Sequence, residues 1–424
     1  MGYNGVGRRA EAAKGCHVPA KAATKTRETA KRPRDRKETI LRVATEHFLR
    51  DGYHRTSMVD IAARIGITST ALYRHFRNKE ELLTRSVLDG IDEMLAGLEH
   101  ATTLEHIIGH LAGSALDGRG LPALWQREMR YLSRDTRRMI MNHLVKTAER
   151  TRSAITAERP DLPAADGELI AWCLLSLFES VSHHEVSLPR DQYEALLRSL
   201  AYRVAYTDLP RGSAFDDREI AIEPVIPTPS QTDGASRRDQ LLAAAAHLFS
   251  RHGYASVGID DIGAMVGITG PSVYYHFRSK SDLLAEIIDR TADATETYTA
   301  RALAEARDPA DALELLLRYY LSFAFTHRDL VWVAVTELTH LPADVVANHR
   351  TRQRVGIMRW THAVLAARPE LDESAARIVA QAVVMIVNDI VRLPWLLRRH
   401  HIRDELFTVG MAAQAPAARA AIEV

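Results

Sequence analysis

Two short segments carry the side chains best suited to chemistry, and that chemistry is hydrogen bonding rather than bond breaking. They read STALYRHF (69–76) and GPSVYYHF (270–277). In the first, Leu72 and Phe76 are four apart and face a core. Ser69 and Tyr73 then fall on one outward strip, and Thr70 and Arg74 on the next. Hydroxyls, a phenol and a guanidinium on an eight-residue helix suit the base edges of a DNA major groove, where each base pair shows its own donor and acceptor pattern. Tyr73, His75 and Lys79 suit the phosphate backbone, which positions without specifying. In the second segment Thr269, Tyr274, His276 and Lys280 keep the backbone-facing set. Gly270, Ser272 and Tyr275 replace Ser69, Ala71 and Arg74, so the two segments are expected to prefer different half-sites.

Short helices must hold these residues in place. Ile40, Leu41, Ala44, Phe48 and Leu49 recur at helical spacing and predict a helix over 36–50. Asp51-Gly52 ends it, because glycine accepts the left-handed conformation of a helix C-cap. Thr56-Ser57 offers an N-cap for a second helix over 58–65, with Ile61, Ala62 and Ile65 inward. Gly66-Ile67 makes a tight turn, and Thr68 caps a third helix over 69–76. Asn78 caps a fourth that begins at Lys79, whose ammonium and the free N–H groups beside it favour a phosphate oxygen. Thr56, Ser57 and Thr68 join the DNA-facing set. In the second segment Pro271 sits in the first helical turn, where its missing N–H does no harm.

The whole arrangement occurs twice. A shift of 201 residues lays 36–83 on 237–284 without a gap, with about 20 of the 48 pairs identical. A gapless repeat of this length means both copies keep the same turns. After each copy come helical segments that do not match each other. Helices over 166–186 and 373–393 are apolar nearly all round, which places them in a core or an interface. An interface between the two halves, or between chains, is the preferred expectation.

The remaining composition is that of an ordinary globular chain: 424 residues, 46% hydrophobic, 26% charged, net charge +1. Any nucleic-acid surface must therefore come from local placement of charge. Cys16 and Cys173 have no metal or redox spacing, and a reducing cytoplasm is expected. No run reaches the ~20 apolar residues that span a bilayer, and no secretory signal is visible. Residues 1–33 hold eight Lys or Arg against Glu11 and Glu28 and are expected to be a disordered basic tail, either a phosphate-binding arm or a solvated extension. Residues 208–235 have linker composition, and REIAIEPVI within them alternates as a strand would, limited by Pro224 and Pro227. His183-His184 is expected to be a core or solvated pair rather than a metal site. Tyr319, Tyr320, Phe323, Phe325 and Trp332 line either a ligand cavity or a plain core. Glu128 and Glu337, near Trp125 and Trp332, are given no role. No paired-carboxylate, nucleophile–base or phosphate-loop pattern is present, so no enzyme, metal or cofactor is expected.

TSMVDIAARIGITSTALYRHFRNKEELL and its counterpart VGIDDIGAMVGITGPSVYYHFRSKSDLL resemble the DNA-binding domain of the TetR family of regulators, with Y-x-H-F-x-x-K in both. The resemblance covers about 50 residues per copy. It implies an all-α fold of two tandem units, each a three-helix helix-turn-helix domain followed by a larger helical domain for ligand and dimerisation. The expected division is a first head at 34–88, helical domain 89–207, linker, second head at 236–290 and helical domain 291–424. Family members typically carry one unit per chain and pair as homodimers, so the duplication is a departure. The expected function is a ligand-responsive repressor. Its partners are a double-stranded DNA operator and a small apolar effector, acting as an intrachain pseudo-dimer or as a homodimer with four heads. A second copy that no longer binds DNA, and an architectural module with no small-molecule response, are the alternatives.

Overall fold

The computed structural model describes residues 33–53, 55–128, 132–212, 220, 222–223, 225–227 and 234–416. The basic tail, apart from its last residue, lies outside them, as does most of 213–233. In the first unit, α1 (Pro33–Asp51) ends at Gly52, whose φ of 81° is the left-handed conformation expected there. Ser57 caps α2 (Met58–Ile65) by accepting from Asp60 N, and Thr68 caps α3 (Ser69–Tyr73) by accepting from Ala71 N. Asn78 caps α4 (Lys79–Glu99) through Glu81 N. These caps are local, so they form where the sequence puts them. The third helix stops at Tyr73, three residues short of the expected end. The backbone tightens there, with Arg74 N and His75 N donating to Ala71 O and Leu72 O, so that Phe76 turns inward and the Asn78 cap is reached.

Five helices follow: α5 (Leu104–Asp117), α6 (Leu121–Glu128), α7 (Arg134–Glu158), α8 (Ala164–Glu179) and α9 (Arg190–Ala205). The second head is α10 (Arg237–His252), α11 (Ile259–Met265) and α12 (Gly270–Val273). Then come α13 (Lys280–Glu305), α14 (Pro309–Thr326), α15 (Arg328–Thr336), α16 (Ala343–Ala367), α17 (Glu373–Ile390) and α18 (Ile402–Gln414). Among the described residues the chain is all-α. The alternating stretch after 218 forms no strand there. Ile220 and Ile222 pack against the main core and Ile226 is buried in the core of the second head. Its apolar residues find helices to cover rather than a strand to pair with.

Each head has its own core. Ile40, Phe48, Ile61, Leu72 and Phe76 centre the first, and Leu241, Phe249, Ile262, Val273 and Phe277 the second. A third core belongs to both units at once. In it α8 packs on α17, and α9 on α18. Trp172 meets Trp395 edge-on at 5.6 Å between ring centres. Arg399 of the second unit donates to Ala165 O at 2.7 Å and to Asp166 Oδ1 at 2.5 Å in the first. The apolar circumference of α8 and α17 is thus spent on the junction between the two halves. No helix among the described residues is long and apolar enough to cross a membrane.

α4 and α13 run unbroken through residues 88 and 290, where the resemblance placed the ends of the two heads. Each head is therefore joined to the helical layer by a continuous helix, and a tilt of that helix moves the head.

Candidate nucleic-acid interface

On the first head, Thr70, Tyr73 and Arg74 are exposed side by side on α3 and its C-cap, while Ser69 and His75 are half-buried. Tyr73 leaves 52% of its surface in solvent with no core to cover it. On the second head, Tyr274 is 55% exposed and Tyr275 90%. Adjacent, bare aromatic rings are costly on a surface unless something covers them. Ser272 is half-buried and shares a hydrogen bond with exposed Thr269 at 2.8 Å, and His276 is half-buried.

Four expected contacts turn inward instead. Thr56 is buried, and its hydroxyl donates to Gly52 O at 2.9 Å and His47 O at 3.2 Å, so it fixes the turn after α1. Lys79 Nζ donates to Tyr53 O at 2.7 Å and Thr56 O at 2.9 Å, and lies 4.3 Å from the centre of the Tyr53 ring. Lys280 repeats this with Tyr254 O and Val257 O, both at 2.8 Å, and the Tyr254 ring at 4.3 Å. Burial holds both ammonium groups below the usual lysine range. The Tyr and Lys shared by the two copies thus form a brace from the start of the fourth helix back to the turn after the first. Gly270 is buried against Asp260, where an added Cβ would collide with that carboxylate, so the position has no room for a side chain. Ser57 and Thr68 are engaged as caps.

The brace carries an expected result. Lys79→Met strands two carbonyls and should lower the stability of the first head by about 1–3 kcal/mol in urea unfolding. It should leave the salt dependence of DNA binding unchanged. A salt slope reduced by about 1 would instead return Lys79 to a phosphate.

Two acids that were given no role from the sequence have one in the structure. Glu128, at the end of α6, accepts from Tyr53 N at 3.2 Å, and Glu337, one residue beyond α15, accepts from Tyr254 N at 3.3 Å. Both are buried. Each unit therefore locks its helical layer onto the turn of its own head with a carboxylate. The signal available was an acid three to five residues after a tryptophan in both halves, at Trp125 and Trp332. The His183-His184 pair is half-buried, with Arg119 of the first unit beside His184 and Asp389 and Arg392 of the second beside His183. Burial pushes His183 down to about 4 and, with Arg119 adjacent, His184 down to about 3.

Two three-helix heads, each presenting a short exposed helix after a glycine turn, define a helix-turn-helix DNA-binding protein. The model of bacterial regulatory proteins of the tetR family matches residues 40–85 and again 241–287. The HTH-type transcriptional repressor KstR2 of Mycolicibacterium smegmatis is 34% identical over 154 residues, 34% of this chain and 73% of that protein. The HTH-type transcriptional activator FasR of the same species is 29% identical over 163 residues, 38% of this chain and 72% of that protein. A TetR-family regulator from Bordetella parapertussis of known structure is 22% identical, with a TM-score of 0.40, across 43% of this chain and all of that one. The chain belongs to the TetR family and is a DNA-binding transcriptional regulator carrying two TetR-type units in tandem.

Proposed function

We propose that this chain is a single-chain pseudo-dimer that reads one operator with two unlike heads and acts as a ligand-responsive repressor in the cytoplasm. The observation that carries the reading is the α8–α9/α17–α18 junction, which joins the two units through one shared core inside one chain. The two large apolar helices that could recruit a second chain already cover each other. The first head, 34–88, reads its half-site with Ser69, Thr70 and Arg74. The second, 236–290, uses Ser272 and Tyr275. Thr68, Tyr73, His75, Thr269, Tyr274 and His276 hold the backbone. The helical layers at 89–207 and 291–424 bind the effector, a small molecule with a sizeable apolar surface, and the linker spans 208–235. Repression follows the relative named a repressor, and binding of effector opposes binding of DNA by linkage. Two heads on one frame must sit about 34 Å apart to reach successive major grooves, so a shift of a few ångströms weakens the complex.

The test is selection of bound sequences from random DNA with three proteins: wild type, Tyr73→Ala/Arg74→Ala and Tyr274→Ala/Tyr275→Ala. The expected outcome is an inverted, unequal pair of half-sites, with each double variant erasing one half. Loss of Arg74 alone should cost about 1–3 kcal/mol at particular bases. A complex containing one chain per operator is expected in solution. A symmetric palindrome that survives the second double variant, bound by two chains, would overturn the pseudo-dimer.

A further inference from the structure

A cavity of about 1290 Å³ lies between the two units. The first unit contributes Gln126, Trp172 and Glu179 to its wall, and the second Trp332, Asp389 and Trp395. Its buried charges do not balance. Asp389 and Glu179 are two carboxylates, and among the described residues Arg392 is the guanidinium whose charge acts on both. Arg392 pairs with Asp389 Oδ1, donates from Nε to Asn388 O at 2.9 Å and lies 5.5 Å from the centre of the Trp332 ring. Gln126 donates to Glu179 Oε1, and to Asp389 Oδ1 at 3.2 Å. Two acceptors are then left over. Asp389 Oδ2 and Gln126 Oε1 are buried with no hydrogen-bond partner, and the Asp389 side chain is only 8% exposed. His183, beside them, is held neutral by burial. Burial also pushes Glu179 up to about 7 and Asp389 up to about 6, the latter with Glu179 adding to it. Arg251, Arg328 and Arg398, which also line the space, are exposed and mark its solvent side; Arg137, half-buried on α7, lines it as well.

A buried acceptor without a donor costs free energy until something supplies one. The chemistry that would satisfy this floor is a compact cation with several N–H donors, which a carboxylate grips in parallel and which tryptophan faces attract. We propose that the cavity between the two units is an effector site for an organic cation, an amidinium or ammonium carried on a flat apolar body, held by Asp389 and Glu179 between the tryptophans. His247 and Ser250 of α10 line the same space, and both bond to Asp329, at 3.0 and 2.8 Å. An occupant therefore touches the first unit and the second head together, and its arrival sets how they sit. That last step rests on the regulator reading above, whereas the site itself does not.

The test uses the full chain without DNA. Benzamidine is titrated against tryptophan fluorescence and by calorimetry, with benzamide as the neutral isostere and benzoate as the anion. Benzamidine is expected to bind saturably, at least tenfold tighter than either comparator. Asp389→Asn and Glu179→Gln, checked for folding by circular dichroism, should each weaken it at least tenfold. Equal binding of benzamide or benzoate, or no saturable signal from benzamidine up to millimolar concentration, overturns the proposal. If Asp389→Asn does not fold, the wild-type comparison and Glu179→Gln decide it alone. A chain that binds benzamidine and selects no operator would sink the regulator reading and leave the site standing.

Discussion

Arg399→Ala is expected to destabilise the chain by about 3–5 kcal/mol, the usual cost of removing one partner from a buried charge cluster. The guanidinium is largely buried and bonds four oxygens: Ala165 O and Asp166 Oδ1 in the first unit, and Glu405 Oε2 at 2.6 Å and Oε1 at 2.7 Å in the second. Glu405 is itself buried, so truncation leaves a carboxylate in a poor solvent with no counter-charge. The geometry needs a fork. Arg399→Lys keeps the charge but cannot span both units, and an intermediate loss is expected. Urea unfolding of the three proteins gives the ranking. Because Arg399 ties one unit to the other, the variant should also lose more affinity for a two-half operator than for a single half-site. A loss below 1 kcal/mol would show that the shared apolar core alone holds the junction.

Phe48→Ala and Phe249→Ala form the second expected result. Each phenyl ring is fully buried in the core of its own head, and deleting one should cost about 3–5 kcal/mol there. Neither ring belongs to the shared core. Phe48→Ala is therefore expected to melt the first head early, as a separate low-temperature step in circular dichroism, while the junction unfolds at the wild-type temperature. Selection from random DNA should then recover one half-site only, and the opposite half for Phe249→Ala. One cooperative transition shifted as a whole, or loss of the same half-site by both variants, would contradict two independent heads.

What the sequence by itself determined is whatever depends on near neighbours. The duplication, the glycine that ends α1 and the caps of α2, α3 and α4 all rest on partners within a few residues, and chain proximity makes such partners available in any fold. The apolar circumference of α8 and α17 likewise announced burial. What covers those helices was settled only by tertiary structure, since α8 and α17 are some two hundred residues apart in the chain. The same limit governed the interface. Thr56, Lys79 and Lys280 have the hydroxyl or ammonium that DNA would accept, yet backbone carbonyls met them first, 23 to 26 residues away for both lysines. Gly270 aligns with an outward serine but is pressed on Asp260, a residue with no counterpart in the first copy, where Val59 stands. Glu128 and Glu337 found their amide partners across 75 and 83 residues. A polar side chain bonds to whichever partner the fold brings closest, and when that partner is remote in the chain only the packed molecule decides which way it turns.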